Sequence, residues 1–307
     1  MFNESPLENK QMNQLEIFTE HKGLLFSIAY NMLGIVQDAE DIVQEAYLKW
    51  SSVTMEEIKN HRAYLVKIVT NLSINYLDSA RKKREEYVCL WLPEPLLKEQ
   101  VTDSFKAVDL YYSLSIGMMV LLERLTPSER AVFLLKDVLS YEYAEIAEIL
   151  SKTQDNCRKI FSRAKKNLGG REKRFQIDVQ VHEKMLQKFL SAVSHGNTEE
   201  LIGLLREDIE LLADGGGKSF TFGKQKFSAN RKPVVGANFV SRFILNVGDK
   251  ISRYVPNVTN KVVYVNGLPS LVTYSNNIAY CIICLEIREN RIANIYLQTN
   301  PDKIRNM

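Results

Sequence analysis

LTPSERAVFLLKDVLSYEYAEIAEILSKTQDNCRKIFSRAKKNL, residues 125–168, carries the pattern on which the reading of the whole chain turns. Its second half divides into two amphipathic helices joined by a tight turn. The shorter runs from Tyr143 to Leu150 and turns Ile146, Ala147 and Leu150 inward. Ser151 and Lys152 make the turn, and Thr153 is placed to cap the next helix by accepting from backbone donors of its first turn. In that helix Cys157, Ile160, Phe161, Ala164 and Leu168 recur at helical spacing as one apolar stripe. Arg158, Lys159, Ser162, Arg163 and Lys166 point away from it. The pattern is a helix-turn-helix, with Gln154, Asp155 and Asn156 at the end that meets base edges in the DNA major groove. A solvated helix of an ordinary bundle satisfies the same spacing, so the rest of the chain has to decide.

Charge supplies the next argument. A net charge of +3 over 307 residues says little about partners. Its distribution says more: residues 152–174 hold nine Lys or Arg against Asp155 and Glu172, and residues 59–84 hold seven against Asp78 alone. Two local basic stripes in a near-neutral chain fit phosphate binding by particular surfaces. At 45% hydrophobic and 25% charged, the composition is that of a soluble globular protein long enough for two or three cores. The first twenty residues lack the apolar core of a signal peptide, and no run reaches membrane-span length. The scattered cysteines suit a reducing compartment. Cys281 and Cys284 form a CxxC inside an apolar strand pattern, where residues three apart face opposite sides; neither a metal nor a redox role is expected.

Organisation follows from periodicity. Residues 1–85 read as a helical domain. Its second helix, Val36 to Trp50, turns Ala39, Ile42, Val43, Ala46, Tyr47 and Trp50 inward and Asp38, Glu40, Asp41 and Glu45 outward. A third helix, His61 to Lys83, keeps Leu65, Ile68, Leu72 and Tyr76 on one side and Lys67, Asn71, Asn75, Asp78 and Lys82 on another. Pro93 and Pro95 make residues 86–106 a linker, and its apolar Trp91, Leu92, Leu96 and Leu97 call for a surface to dock on. Helix resumes from Val108 to Glu123, and residues 107–172 form the helix-turn-helix domain. From 173 to 307 the grammar is α+β. Helices Asp178–Ser194, Thr198–Leu205 and Pro233–Asn246 accompany strands Ile209–Ala213, Lys261–Val265, Ser270–Tyr274, Asn277–Ile287 and Arg291–Thr299. These strands are expected to pair as a curved antiparallel sheet, with a hairpin turn at Glu289-Asn290.

The chain resembles a bacterial sigma factor of the extracytoplasmic-function group, in the sigma-70 family, within the subgroup that carries a fused C-terminal SnoaL-like domain. Asp38-Ala39-Glu40-Asp41-Ile42-Val43-Gln44-Glu45-Ala46 looks like the region 2 helix, Arg62-Ala63-Tyr64-Leu65 through Arg84 like the part that melts and reads the −10 element, and Leu125 through Leu168 like region 4. Three further motifs resemble that subgroup: Trp91-Leu92-Pro93-Glu94-Pro95, Asp214-Gly215-Gly216-Gly217-Lys218 and Asn300-Pro301-Asp302-Lys303. Departures are Cys89-Leu90 in place of a usual Gly-Pro, Ile304 in place of leucine, and a longer, more polar stretch after Lys218. The resemblance implies two all-α domains, the second with the helix-turn-helix, followed by an α+β SnoaL/NTF2-like cone domain. It also implies binding to core RNA polymerase through the β′ clamp helices and β flap, promoter DNA as target, and a cytoplasmic location.

On that reading Asp38, Glu40, Asp41, Gln44 and Glu45 face polymerase. Arg62, Lys67, Asn71, Asn75, Arg81 and Lys82 serve the −10 strand, with cations for phosphates and amides for a flipped base. Gln154, Asn156, Arg158, Lys159, Ser162 and Arg163 serve the −35 duplex. Trp91, Pro93, Pro95, the 214–218 loop and the 300–303 motif are the regulatory candidates, with the glycine loop expected against the Trp91 linker. An enzymatic C-terminal domain is the competing reading, but no Ser-His-Asp set, phosphate loop or metal spacing accompanies Asp214, and His182 and His195 are expected at the surface. No cofactor is expected, though a small ligand for this domain stays open. A DNA-binding activator without polymerase is the third reading, and the second basic surface argues against it.

Overall fold

Three helices open the chain: α1 (Pro6–Leu33), α2 (Val36–Ser51) and α3 (His61–Glu85). The computed structural model describes residues 6–55, 58–85, 90–97, 114–169, 178–222, 225–230 and 232–304. Ala39, Ile42, Val43, Ala46 and Trp50 bury one face of α2 as their spacing predicts. The Trp50 indole donates to the Gln14 carbonyl at 2.9 Å, so its polar edge is satisfied inside the core.

After α4 (Ile116–Leu122), Thr126 starts α5 (Pro127–Phe133) with a reciprocal cap. Its hydroxyl accepts from the Glu129 amide at 3.3 Å while the Glu129 carboxylate accepts from the Thr126 amide at 3.0 Å. A π-helical turn (Leu134–Val138) then leads to α6 (Tyr143–Leu150) and α7 (Gln154–Leu168). Sequence periodicity does not reveal that turn, because one wide turn keeps Leu134 and Leu135 buried as an α-helix would. Arg130 is buried. Its guanidinium donates to the carbonyls of Met32 at 2.6 Å and Leu122 at 2.9 Å and pairs with Glu123 at 2.8 Å.

The described residues divide into two compact units. One holds the helices up to Lys82 and residues 121–169. The other holds the linker residues 90–97, residues 115–120 and everything from 178 onward. The expected helix from Val108 lies outside the described residues up to 113.

The second unit begins with α8 (Val179–Ser194) and α9 (Thr198–Leu204). It continues through β1 (Leu205–Asp214), β2 (Ser219–Phe222), β3 (Gln225–Ser228), β4 (Val234–Val235) and α10 (Ala237–Tyr254). Strands β5 (Val258–Val265), β6 (Leu268–Ser275), β7 (Ile278–Arg288) and β8 (Arg291–Gln298) follow, then α11 (Pro301–Ile304). Six strands form one sheet in the order β4-β1-β8-β7-β6-β5, and β2 and β3 form a separate hairpin. The sheet is mixed, not antiparallel as the sequence suggested: β1 runs parallel to β8. The long excursion through α10 and the intervening strands supplies the crossover a parallel pair requires. The helix expected from Pro233 begins at Ala237, because Val234 and Val235 pair with β1 first and Gly236, at φ 94, turns the chain.

Side-chain alternation gives the sheet two buried faces. Leu211, Leu285, Ile292 and Ile295 pack with Leu186, Phe189 and Val240 of the helices. Val272, Ile282, Cys284 and Tyr296 pack instead with Leu92, Leu97 and Ile116. The linker's apolar residues have their docking surface.

Candidate nucleic-acid interface

Thr153 caps α7 by accepting from the Asn156 amide at 3.2 Å. Cys157, Ile160, Ala164 and Leu168 are buried, and Phe161 stacks on Phe133 and meets Tyr143 edge-on, with ring centroids 6.2 Å away in each case. That anchoring leaves Gln154, Asn156, Arg158, Lys159, Ser162, Arg163 and Lys166 exposed on the other face. Arg158 is preset: it pairs with Asp155 at 2.9 Å, reaches Gln154 at 3.4 Å and lies 5.2 Å over the Tyr143 ring. Arg163 approaches Glu129 at 3.9 Å.

On α3, Arg62 lies 5.8 Å over the Tyr141 ring, Lys67 is half-buried and Asn75 is exposed. Asn71 differs from the expectation that it offers an amide to a base. Its Nδ2 donates to the Lys67 carbonyl at 2.9 Å and the Ile149 carbonyl at 3.2 Å, so the donor edge is engaged within the protein. The side chains of Arg81 and Lys82 lie outside the described residues.

The acidic face of α2 is graded. Asp38 and Glu40 are half-buried, while Asp41, Gln44 and Glu45 are exposed. Burial, with Asp41 beside it, pushes the Glu40 carboxyl above its usual range. Glu45 pairs with Lys49 at 3.4 Å, and Asp41 accepts from Gln37 at 3.0 Å. Leu48, 67% exposed, was missed; it follows Asp41, Gln44 and Glu45 at helical spacing and puts an apolar contact among the acids.

The three motifs expected to be regulatory meet in the second unit. The Asp214 carboxylate, fully buried, accepts from the Leu92 amide at 3.0 Å and the Lys303 ammonium at 2.7 Å. Lys303 also donates to the Leu92 carbonyl at 2.6 Å and sits 4.6 Å over the Trp91 ring. Gln298 donates to the Pro93 carbonyl at 3.3 Å, and Pro93 and Pro95 are buried. Gly215 is buried, and Gly216, at φ 60, lies where an added Cβ would be 2.6 Å from the Asn300 side chain, so glycine is required for the close approach. Gly217 also has positive φ, at 72. Lys218 pairs with Asp302 across the loop, and Pro301 starts the short α11. Further along, Leu96 exchanges hydrogen bonds with Asn266, 3.0 Å to its side chain and 2.9 Å from its amide, and Leu97 bridges Val265.

His195 is exposed, but His182 is 2% exposed, against the surface placement expected for it. His182 is buried with Met185, Leu186 and Phe189 on the inner face of α8 while Val181 is half-buried, and burial lowers the His182 pKa to about 4. Burial also pushes the Cys281 and Cys284 thiols up to about 12 and 11, leaving both protonated at neutral pH.

Family models match at two places: Sigma-70 region 2 over residues 17–83, and Sigma-70 region 4 over residues 117–168. The ECF RNA polymerase sigma factor SigJ of Mycobacterium tuberculosis is 32% identical over 305 residues, covering 95% of this chain and 93% of the relative. The chain belongs to the extracytoplasmic-function sigma factors. The probable ECF sigma factor SigI of the same organism is 24% identical, with 92% of each chain covered. The crystal structure of SigJ matches with a TM-score of 0.73 at 29% identity over 95% of this chain and 98% of that one. The likeness runs through the C-terminal α+β domain as well as the helical regions. This sigma factor therefore carries regions 2 and 4 for promoter recognition, and sigma factors are transcription initiation factors, not enzymes.

Proposed function

We propose that this sigma factor binds core RNA polymerase through the acidic face of α2, with Asp38, Glu40, Asp41, Gln44 and Glu45 meeting the β′ clamp helices around Leu48, and meets the β flap through region 4. Lys159 and Arg163 hold −35 phosphates, while Gln154, Asn156 and Arg158 select sequence and Ser162 adds a neutral hydrogen bond. Arg62, Lys67, Asn75, Arg81 and Lys82 hold the −10 strand; Asn71 joins them once its bond to Ile149 opens. The domains divide at 1–85, 86–106, 107–172 and 173–307, and the protein works in the cytoplasm, where polymerase and promoter are.

The observation that carries this reading is α7: a capped helix with one face buried and seven polar or cationic side chains exposed on the other. The test is transcription in vitro with purified core polymerase. Promoter-specific starts on adding this chain alone support the proposal. Starts that require another sigma factor make it an accessory activator and reject it.

The C-terminal domain modulates that activity by holding the tether. The junction of Asp214, Lys303 and Leu92 fixes part of the chain that joins region 2 to region 4, which limits how far the two can separate on DNA.

A further inference from the structure

We propose that the C-terminal domain carries a nucleic-acid surface of its own: the outer face of α10 binds single-stranded DNA by its phosphates and stacks one base on Phe239. Charge divides this domain along its length. Residues 173–217 hold five Lys or Arg against eight Asp or Glu, whereas residues 218–285 hold nine against Asp249 alone. Seven of those nine lie among the described residues, and every one is exposed. A surface so dominated by one sign attracts a polyanion.

Helix α10 collects and aligns these cations. Its Val240, Phe243 and Ile244 pack into the core and hold the helix in place. At about 100° per residue, Phe239, Arg242, Asn246, Asp249, Lys250 and Arg253 fall within an arc of about 100° on the outer side, and all six are exposed. Asp249, the acid of this face, is already neutralised by Arg253 at 2.9 Å. Arg242 and Lys250 have no ion pair among the described residues, so their charge is available to a partner. From Phe239 to Arg253 the helix runs about 21 Å, long enough to follow several nucleotides.

Phe239 decides which polyanion fits. It is 67% exposed, one turn before Arg242, and it shares a shallow open depression with Lys232 and Val235, the latter 53% exposed. An open ring flanked by Lys232 and Arg242 combines the two things a single strand needs, charge for its backbone and a flat apolar face for an unstacked base. A duplex keeps its bases stacked on one another and has no face to give Phe239. A sigma factor works where promoter DNA is opened, so a single DNA strand is the polyanion at hand.

The test photo-crosslinks the full chain to a single-stranded DNA of about eight nucleotides, with 5-iododeoxyuridine in place of thymidine, and maps the adducts by peptide mass spectrometry. Iodouracil joins to an aromatic ring stacked on it, so the yield at Phe239 reads this face apart from regions 2 and 4. A saturable adduct at Phe239 is expected. Arg242→Gln with Lys250→Gln should require roughly tenfold more DNA and show a salt slope shallower by about 1.4, since each phosphate contact on a single strand contributes about 0.7. Both side chains are exposed, so this variant should melt with the parent chain. Unmodified single strand should compete well, and a duplex of the same length poorly. No adduct at Phe239, a yield indifferent to the two substitutions, or better competition by duplex would each overturn the proposal. Better competition by RNA of the same sequence would make the strand a transcript. Displacement by phosphatidylglycerol vesicles at equal phosphate would make the face a membrane surface, and either outcome rejects single-stranded DNA.

Discussion

A lysine ammonium with 8% exposure has to find its partners inside the protein, and Lys303 finds the Asp214 carboxylate, the Leu92 carbonyl and the face of Trp91. Removing one member of a buried pair leaves a charge with no water to compensate it, which costs about 3–5 kcal/mol. Lys303→Met should therefore lower the urea stability of the second unit by about that much. The double variant Asp214→Asn with Lys303→Met should recover part of the loss; a double variant as unstable as the sum of its parts would show that the pair does not act as one. His182 supports a second prediction. Its pKa falls from 6.5 to about 4 on folding, so the unfolded chain takes up a proton at a pH where the folded one does not. Stability from this residue is intact above pH 6.5, declines as pH drops toward 4, and amounts to on the order of 3 kcal/mol over that window. Urea unfolding between pH 7 and 4 should show a shallower decline for His182→Leu than for the parent chain.

Among the elements, α7 was legible from its residues because stripe, cap and cationic face all follow one period. Position within its exposed face then assigns roles. Arg158 is held by Asp155 and Tyr143 near the helix start, the end proposed to meet base edges, whereas Lys166 lies two turns on. Arg158→Ala should relax promoter choice, costing about 1–3 kcal/mol at the matched base pair only. Lys166→Ala should weaken all sequences alike and reduce the salt slope by about one. Promoter-binding titrations at several salt concentrations separate the two; equal selectivity in both variants would remove the division of labour. Other elements were less legible. Strands β2 and β3 are four residues each, too short for alternation to stand out, and β4 is two. The parallel pairing of β1 with β8 depends on residues some eighty positions apart, which no local pattern records.

The largest part of the candidate regulatory site was invisible as geometry. The Trp91 linker's need for a cover could be read from its apolar residues, and the glycine loop's capacity for close approach from its three glycines. That Lys303 would be the cation completing the junction could not, because a terminal lysine ordinarily points to water. Leu92, Leu96 and Leu97 are 1%, 2% and 6% exposed, and polar bonds to Asp214 and Asn266 hold both ends of this stretch. On the proposed tether mechanism, pinning that stretch shortens the chain left free to let region 2 and region 4 adapt to different separations of their two DNA elements. A protein so pinned should tolerate spacer changes poorly. In transcription with core polymerase, the full chain should fall off steeply as the −35 to −10 spacer is lengthened or shortened one base pair at a time. A chain stopped near residue 172 has lost Asp214, Asn266 and Lys303, so its profile should be broader and its best-spacer activity no higher than needed for binding. Lys303→Met in the full chain should fall between the two, which guards against the truncated chain failing through its uncovered leucines. If all three proteins share one spacer profile, the anchored tether does not measure the distance between the promoter elements.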